Sequence, residues 1–100
     1  QSTNGVKIID NSYSTNQQAF ESDIELLKSL IGRKFVVSPG IIELGSETEK
    51  VHRRLRDLMK DFDGVWIGKY DGFEKTIKAG DTVLIEGRIP TKIKDIIYSL

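Results

Sequence analysis

Apolar positions recur along this chain with two periods, one set by strands and one by helices. Val6 to Asp10 is apolar almost throughout and reads as a strand covered on both faces, the habit of a parallel sheet. Phe20, Ile24, Leu27 and Ile31 then fall at i, i+4, i+7 and i+11, with Leu30 alongside, predicting one helical stripe over about residues 17–31. Gly32 stands where a left-handed C-terminal cap is usual. Lys34 to Val37 is a second strand, stopped by Ser38-Pro39-Gly40. Val51, Leu55, Leu58, Met59 and Phe62 mark a second helix, introduced by Ser46-Glu47-Thr48-Glu49, which fits a capping box. Val65 to Gly68 and Thr82 to Glu86 are two further strands, joined by a short polar connection with room for one helical turn around 73–77. Thr91 is expected to cap a last helix carrying Ile93, Ile96, Ile97 and Leu100 on one side.

Strand, helix, strand, helix, strand, short connection, strand, helix is the order of parallel βαβ units. The expected fold is α/β: a Rossmann-like three-layer sandwich, with a mainly parallel sheet of about four strands and helices on both faces. One hundred residues suit one domain with one core, here 6–100, preceded by a polar linker end at 1–5. The chain begins at Gln1 rather than methionine, which suggests a piece of a longer protein.

Composition narrows the chemistry more than it directs it. Fifteen basic residues balance fifteen acidic ones, leaving no global field to draw nucleic acid or an anionic membrane. No apolar run approaches the roughly 20 residues that span a bilayer, and no signal peptide is present, so the cytoplasm is the default location. There is no cysteine, hence no disulfide, thiolate zinc site or cysteine nucleophile. The single histidine, His52, sits just off the apolar stripe of the second helix and reads as a packing or surface residue. Ser12 and Ser38 have no evident His-Asp partners. Neither a G-x-x-x-x-G-K-[ST] phosphate loop nor a G-x-G-x-x-G turn occurs.

What remains is a set of strand ends. In an open α/β sheet these gather on one rim, where ligands bind. They are Asp10 to Asn16, Ser38 to Gly45, Gly87-Arg88, and a fourth candidate at Gly68-Lys69-Tyr70. A carboxylate, amides, hydroxyls, a phenol and an arginine suit recognition of a polar or nucleotide-like ligand better than bond-making by this domain alone. The plainer alternative has Asn16 as a helix cap, Asp10 and Asn11 as turn formers, and the glycines as element ends.

Three of these segments resemble the C-terminal domain of the Mur ligases, the ATP-dependent amide-forming enzymes of cell-wall (peptidoglycan) peptide synthesis. The likeness is greatest to the branch that adds D-alanyl-D-alanine. Ile9-Asp10-Asn11-Ser12-Tyr13-Ser14-Thr15-Asn16 resembles that branch's D-D-S-Y-N-x-N-P. Val37 to Gly45, with Glu49 and His52 beyond, resembles G-D/T-P-M/G-x-x-E-L-G…E…H. Gly80 to Arg88 resembles G-D-x-V-L-V-K-G-S-R. The resemblance implies a domain that closes over a central ATPase domain and an N-terminal domain, which bind ATP, Mg2+ and the nucleotide-sugar peptide. The reaction so implied forms an acyl phosphate that the incoming amine attacks. Carried over, Asp10, Asn11 and Tyr13 would lie at ATP. Ser12, Asn16, Ser38, Pro39, Gly40, Glu43 and Arg88 would line the site of the incoming amino acid or dipeptide. No residue here would be catalytic by itself, no metal ligand is assigned, and the isolated domain should be inactive. Asn11 stands where the family has a second aspartate, Gln17 where it has proline, and Glu86 where it has lysine. The chain between Gly68 and Gly80 is also shortened. The other readings are a degenerate ligase domain kept as a scaffold, and a flavodoxin-like binding or receiver module.

Overall fold

A computed structural model describes residues 4–13, 16–41 and 45–100. Four strands, β1 (Lys7–Asn11), β2 (Lys34–Ser38), β3 (Gly64–Ile67) and β4 (Thr82–Glu86), alternate with helices α1 (Gln17–Lys28), α2 (Thr48–Leu58), α3 (Phe73–Thr76) and α4 (Thr91–Tyr98). The strands form one sheet in the order β1-β4-β2-β3, and every pairing is parallel. β4 lies second in the sheet, and all five of its residues are buried, so the last strand to be made is the one that holds β1 and β2 together.

Alternation along the strands divides the core in two. Phe35 and Val37 of β2 and Val83 and Ile85 of β4 point to the face covered by α3 and α4, where they meet Phe73, Ile77 and Ile97. Val36 and Leu84 point the other way, onto Phe20, Ile24 and Leu27 of α1 and Leu55 and Met59 of α2. The two faces together make the three-layer α/β sandwich. Helices α1 and α2 are braced across their outer surface by a two-pronged ion pair: Arg54 Nε and Nη2 donate to the Glu21 carboxylate at 3.0 and 3.1 Å. Near the β3 edge Trp66 stacks on Phe35 and meets Phe73 edge-on. The close fit leaves no room at Gly64, where a Cβ would come within 2.7 Å of the indole.

Three local expectations give way. α1 stops at Lys28, three residues early, and Ile31 lies 97% exposed beyond it, because the chain has already turned toward Gly32 (φ +103°). Ser46 is not the N-cap of α2: Gly45–Glu47 winds as a 3-10 turn and leads straight into the helix, whose N-cap is Glu47, making no side-chain cap hydrogen bond. Thr91 is the first residue of α4 rather than its cap, with Pro90 before it. The short third crossover is indeed a single helical turn, α3. Among the described residues, no helix is long and apolar enough to cross a membrane.

Since β4 carries both halves of the sheet, Leu84→Ala should cost about 2–5 kcal/mol by loss of buried methyl groups and the cavity left behind. Urea unfolding should show a lower midpoint at an unchanged slope.

Candidate functional site

Parallel pairing through β4 brings the ends of β1, β4 and β2 to one rim. β1 leaves the rim toward α1 on one face, and its neighbour β4 leaves toward α4 on the other. Where adjacent strands send their connections to opposite faces, a crevice opens between the tips, the usual ligand position in such sheets. Here the crevice has a volume of about 280 Å³ and is lined by Ser12, Tyr13, Arg88, Ile89, Thr91 and Lys94. Its floor is a tight backbone: Gly87 N–H donates to the Asn11 carbonyl at 3.0 Å, and Gly87 adopts φ +86°, open to glycine at little cost.

The two polar residues at the tip of β1 part company because successive strand side chains face opposite ways. Asp10 turns to the α4 face. Its Oδ1 accepts the Ser12 N–H at 3.0 Å, and its Oδ2 accepts the Tyr98 hydroxyl at 2.6 Å and pairs with Lys94 Nζ at 3.2 Å. Lys94 Nζ also donates to Ser12 Oγ at 2.9 Å, closing a ring of three residues to which Tyr98 is joined through Asp10. Partial burial by itself would raise the Asp10 carboxyl. The hydrogen bonds from Tyr98, Ser12 and Lys94 outweigh it and hold the group well below the usual carboxylate range. Tyr98 is pushed up to about 12, chiefly because its proton is held by Asp10.

Asn11 turns to the α1 face, and its Nδ2 donates to Asp23 of α1 in a short contact. Across the β1–β4 register Asn11 lies directly opposite Glu86, which is 2% exposed. Two of the three positions at which the sequence departs from the Mur-like motifs, Asn11 and Glu86, are therefore neighbours across the sheet. Asn16 is the cap of α1, its Oδ1 accepting the Ala19 N–H at 2.8 Å.

On β2, Ser38 is buried and its Oγ accepts the Gly40 N–H at 2.9 Å, shaping the turn through Pro39. Gly40 sits at φ +89° with the His52 ring pressed against it, and His52 Nε2 lies 3.0 Å from the Ile41 nitrogen. Ser14, Thr15 and Ile42 to Leu44, hence also Glu43, lie outside the described residues. Arg88 is exposed at the crevice, and Tyr13 presents a ring that is 77% exposed. The crevice thus assembles Ser12, Tyr13 and Arg88, with Asp10 and Asn11 directly behind. Asn16, Ser38, Pro39 and Gly40 belong to the same rim but do not line it.

This architecture has a solved counterpart. The chain is similar to part of a MurF ligase. That enzyme, from Thermotoga maritima and crystallised in complex with ADP, superposes with a TM-score of 0.78 at 27% identity. The match covers 97% of this chain and 28% of the ligase, which supports a Mur ligase-type domain, one part of a larger enzyme. No protein-family model matches the chain, and no curated protein does.

Sequence reasoning missed Lys94 and Tyr98. They stand four apart on α4, a spacing that puts both on one side of the helix, but their partner Asp10 is over eighty residues away and no local pattern names it. Among the described residues, no group of three or more His, Cys, Asp or Glu side chains is placed to hold a metal ion. The crevice is surrounded by an exposed aromatic ring (Tyr13), two cations (Arg88 and Lys94) and the hydroxyls of Ser12 and Thr91.

The cluster of Asp10, Ser12, Lys94 and Tyr98 gives a pH signature. A tyrosine whose folded pKa is raised contributes stability that is complete below its unfolded value near 10 and is lost as pH rises through the folded value. Tyr98→Phe should therefore destabilise by a few tenths to about 1 kcal/mol at neutral pH, the pair being partly exposed. The gap from the parent protein should narrow between pH 10 and about 12. Asp10, whose carboxyl is depressed, acts oppositely: its contribution is complete above the ordinary carboxylate range and fades as pH falls below it. Thermal melts across pH check both arms.

Proposed function

We propose that this chain is the substrate-closing domain of a Mur-type, ATP-dependent amino acid or peptide ligase of the D-alanyl-D-alanine-adding kind. The observation that carries the reading is the coincidence of two things. The likeness to MurF runs over 97% of the chain, and the rim that bears its motif residues is also where the topology opens a crevice. In this reading Tyr13 lies against the nucleotide and Asn11 offers its amide oxygen to the ribose. Asp10 stands behind them and fixes Ser12 through the contacts with Lys94 and Tyr98. Ser12, Asn16, Ser38, Pro39, Gly40, Glu43 and Arg88 belong to the side that receives the incoming amino compound. Ser38 acts there through the backbone it shapes, because its hydroxyl oxygen already holds Gly40. Arg88, exposed at the crevice, is suited to a carboxylate.

The chain's own share of the chemistry is positioning and exclusion of water, as a closing lid supplies. The phosphate loop, Mg2+ and the nucleotide-sugar peptide belong to the central and N-terminal domains that this domain would close upon, in the cytoplasm. A scaffold role is favoured by one feature: both Asp10 oxygens and the Asn11 amide nitrogen are already engaged within the chain.

The test separates the two. The chain alone should not turn over Mg-ATP. In the intact ligase Tyr13→Ala, a change at an exposed ring, should leave the melting temperature unchanged and lower kcat/KM for ligation by about tenfold or more. ATP hydrolysis by the chain alone would contradict the division of roles, and normal ligation by the variant would favour the scaffold.

A further inference from the structure

Nothing in the proposed roles uses the only histidine. His52, on the flank of α2 turned toward β3, is half-buried against the turn that ends β2. A Cβ on Gly40 would fall 3.0 Å from both Cε1 and Nε2 of the ring and 3.1 Å from Ile67 of β3, so the imidazole lies flush on the glycine backbone. One ring nitrogen, Nε2, faces both polar groups of the next residue: the Ile41 N–H points at it from 3.0 Å, and the Ile41 carbonyl oxygen lies 3.1 Å away. A ring nitrogen can serve only one of them. Bare, it accepts the N–H; carrying a proton, it donates to the carbonyl and leaves the N–H without its acceptor.

We propose that His52 is a positioning residue for the Ser38–Ile41 turn: its neutral ring accepts the Ile41 N–H and locks the turn, and protonation transfers the bond to the Ile41 carbonyl and releases the lock. The turn has two such fastenings, one from each side. Ser38 Oγ holds the Gly40 N–H from the strand, and His52 holds the next N–H from the helix. The first does not titrate, so acidification loosens only the distal half, at Ile41. Among the described residues, the ionisable groups sharing the ring's cavity are Glu49, Arg53 and Arg56 of α2. Glu49 is already paired with Arg53 at 3.1 Å. The turn and Ile67, which pack on the ring, bring no ionisable side chain, and Lys69 beyond β3 is exposed.

That the turn faces the incoming amino compound rests on the ligase reading; the hydrogen bond does not, so the test addresses the bond alone. Amide exchange of Ile41 is followed by 15N NMR in the whole chain while the His52 ring signals report its ionisation. Protection of Ile41, corrected for the intrinsic rate, should fall about five- to tenfold as the ring takes up a proton, the size expected for one hydrogen bond. Gly40 should not change. His52→Gln, whose amide oxygen can accept from the same place, should keep protection at every pH. His52→Phe should show the low value throughout. A flat Ile41 profile across the ring's titration, meaning that Nε2 carries the proton and already serves the carbonyl, would overturn the proposal. So would full protection in the phenylalanine variant.

Discussion

A parallel strand cannot be reached from its neighbour by a hairpin, so each strand after the first must be fed by a crossover that returns to the same starting edge. In this chain that constraint falls hardest on β4, wholly buried and bonded on both sides. Because β4 runs parallel to β1 and β2, three carboxyl ends share one rim. Because its exit goes to the face opposite that of β1, the rim is split rather than sealed. The crevice follows from connectivity, and the side chains that line it only specify what it can receive.

Two-residue alternation then distributes the polar tip of β1 between two helices. Asp10 is tied to α4 and Asn11 to α1, so the last residues of one strand register both helical layers against the sheet. The same alternation puts Asn11 beside Glu86. An amide facing a buried carboxylate stands where the Mur pattern would set an aspartate beside a lysine. In space these two departures lie side by side across the β1–β4 register.

The fold class was legible because the strands are short, apolar and β-branched, and Thr82 to Glu86 in particular carries its bounds on its face. The cap at Asn16 was equally plain, since an N-cap acts on a residue only three away. Legibility ended where the deciding partner is distant. Ile31 fits the helical stripe of α1, yet the chain leaves the helix at Ser29 and the side chain is stranded in solvent. Ser46 fits a capping box, but the 3-10 turn supplies the first turn of α2 instead. The cluster of Asp10, Ser12, Lys94 and Tyr98 joins the two ends of the sequence, and the His52 ring meets the backbone at Ile41, in the turn after β2, so neither contact is set by residues adjacent in the chain.

The tie between Asp10 and Tyr98 has a consequence for motion. Local openings occur in cooperative units whose members lose their contacts together. The tip of β1 with its following loop and the C-terminal helix share an ion pair and two hydrogen bonds. Fraying of α4 therefore frees the mouth of the crevice, and whatever occupies that mouth stiffens a helix whose far end it never touches.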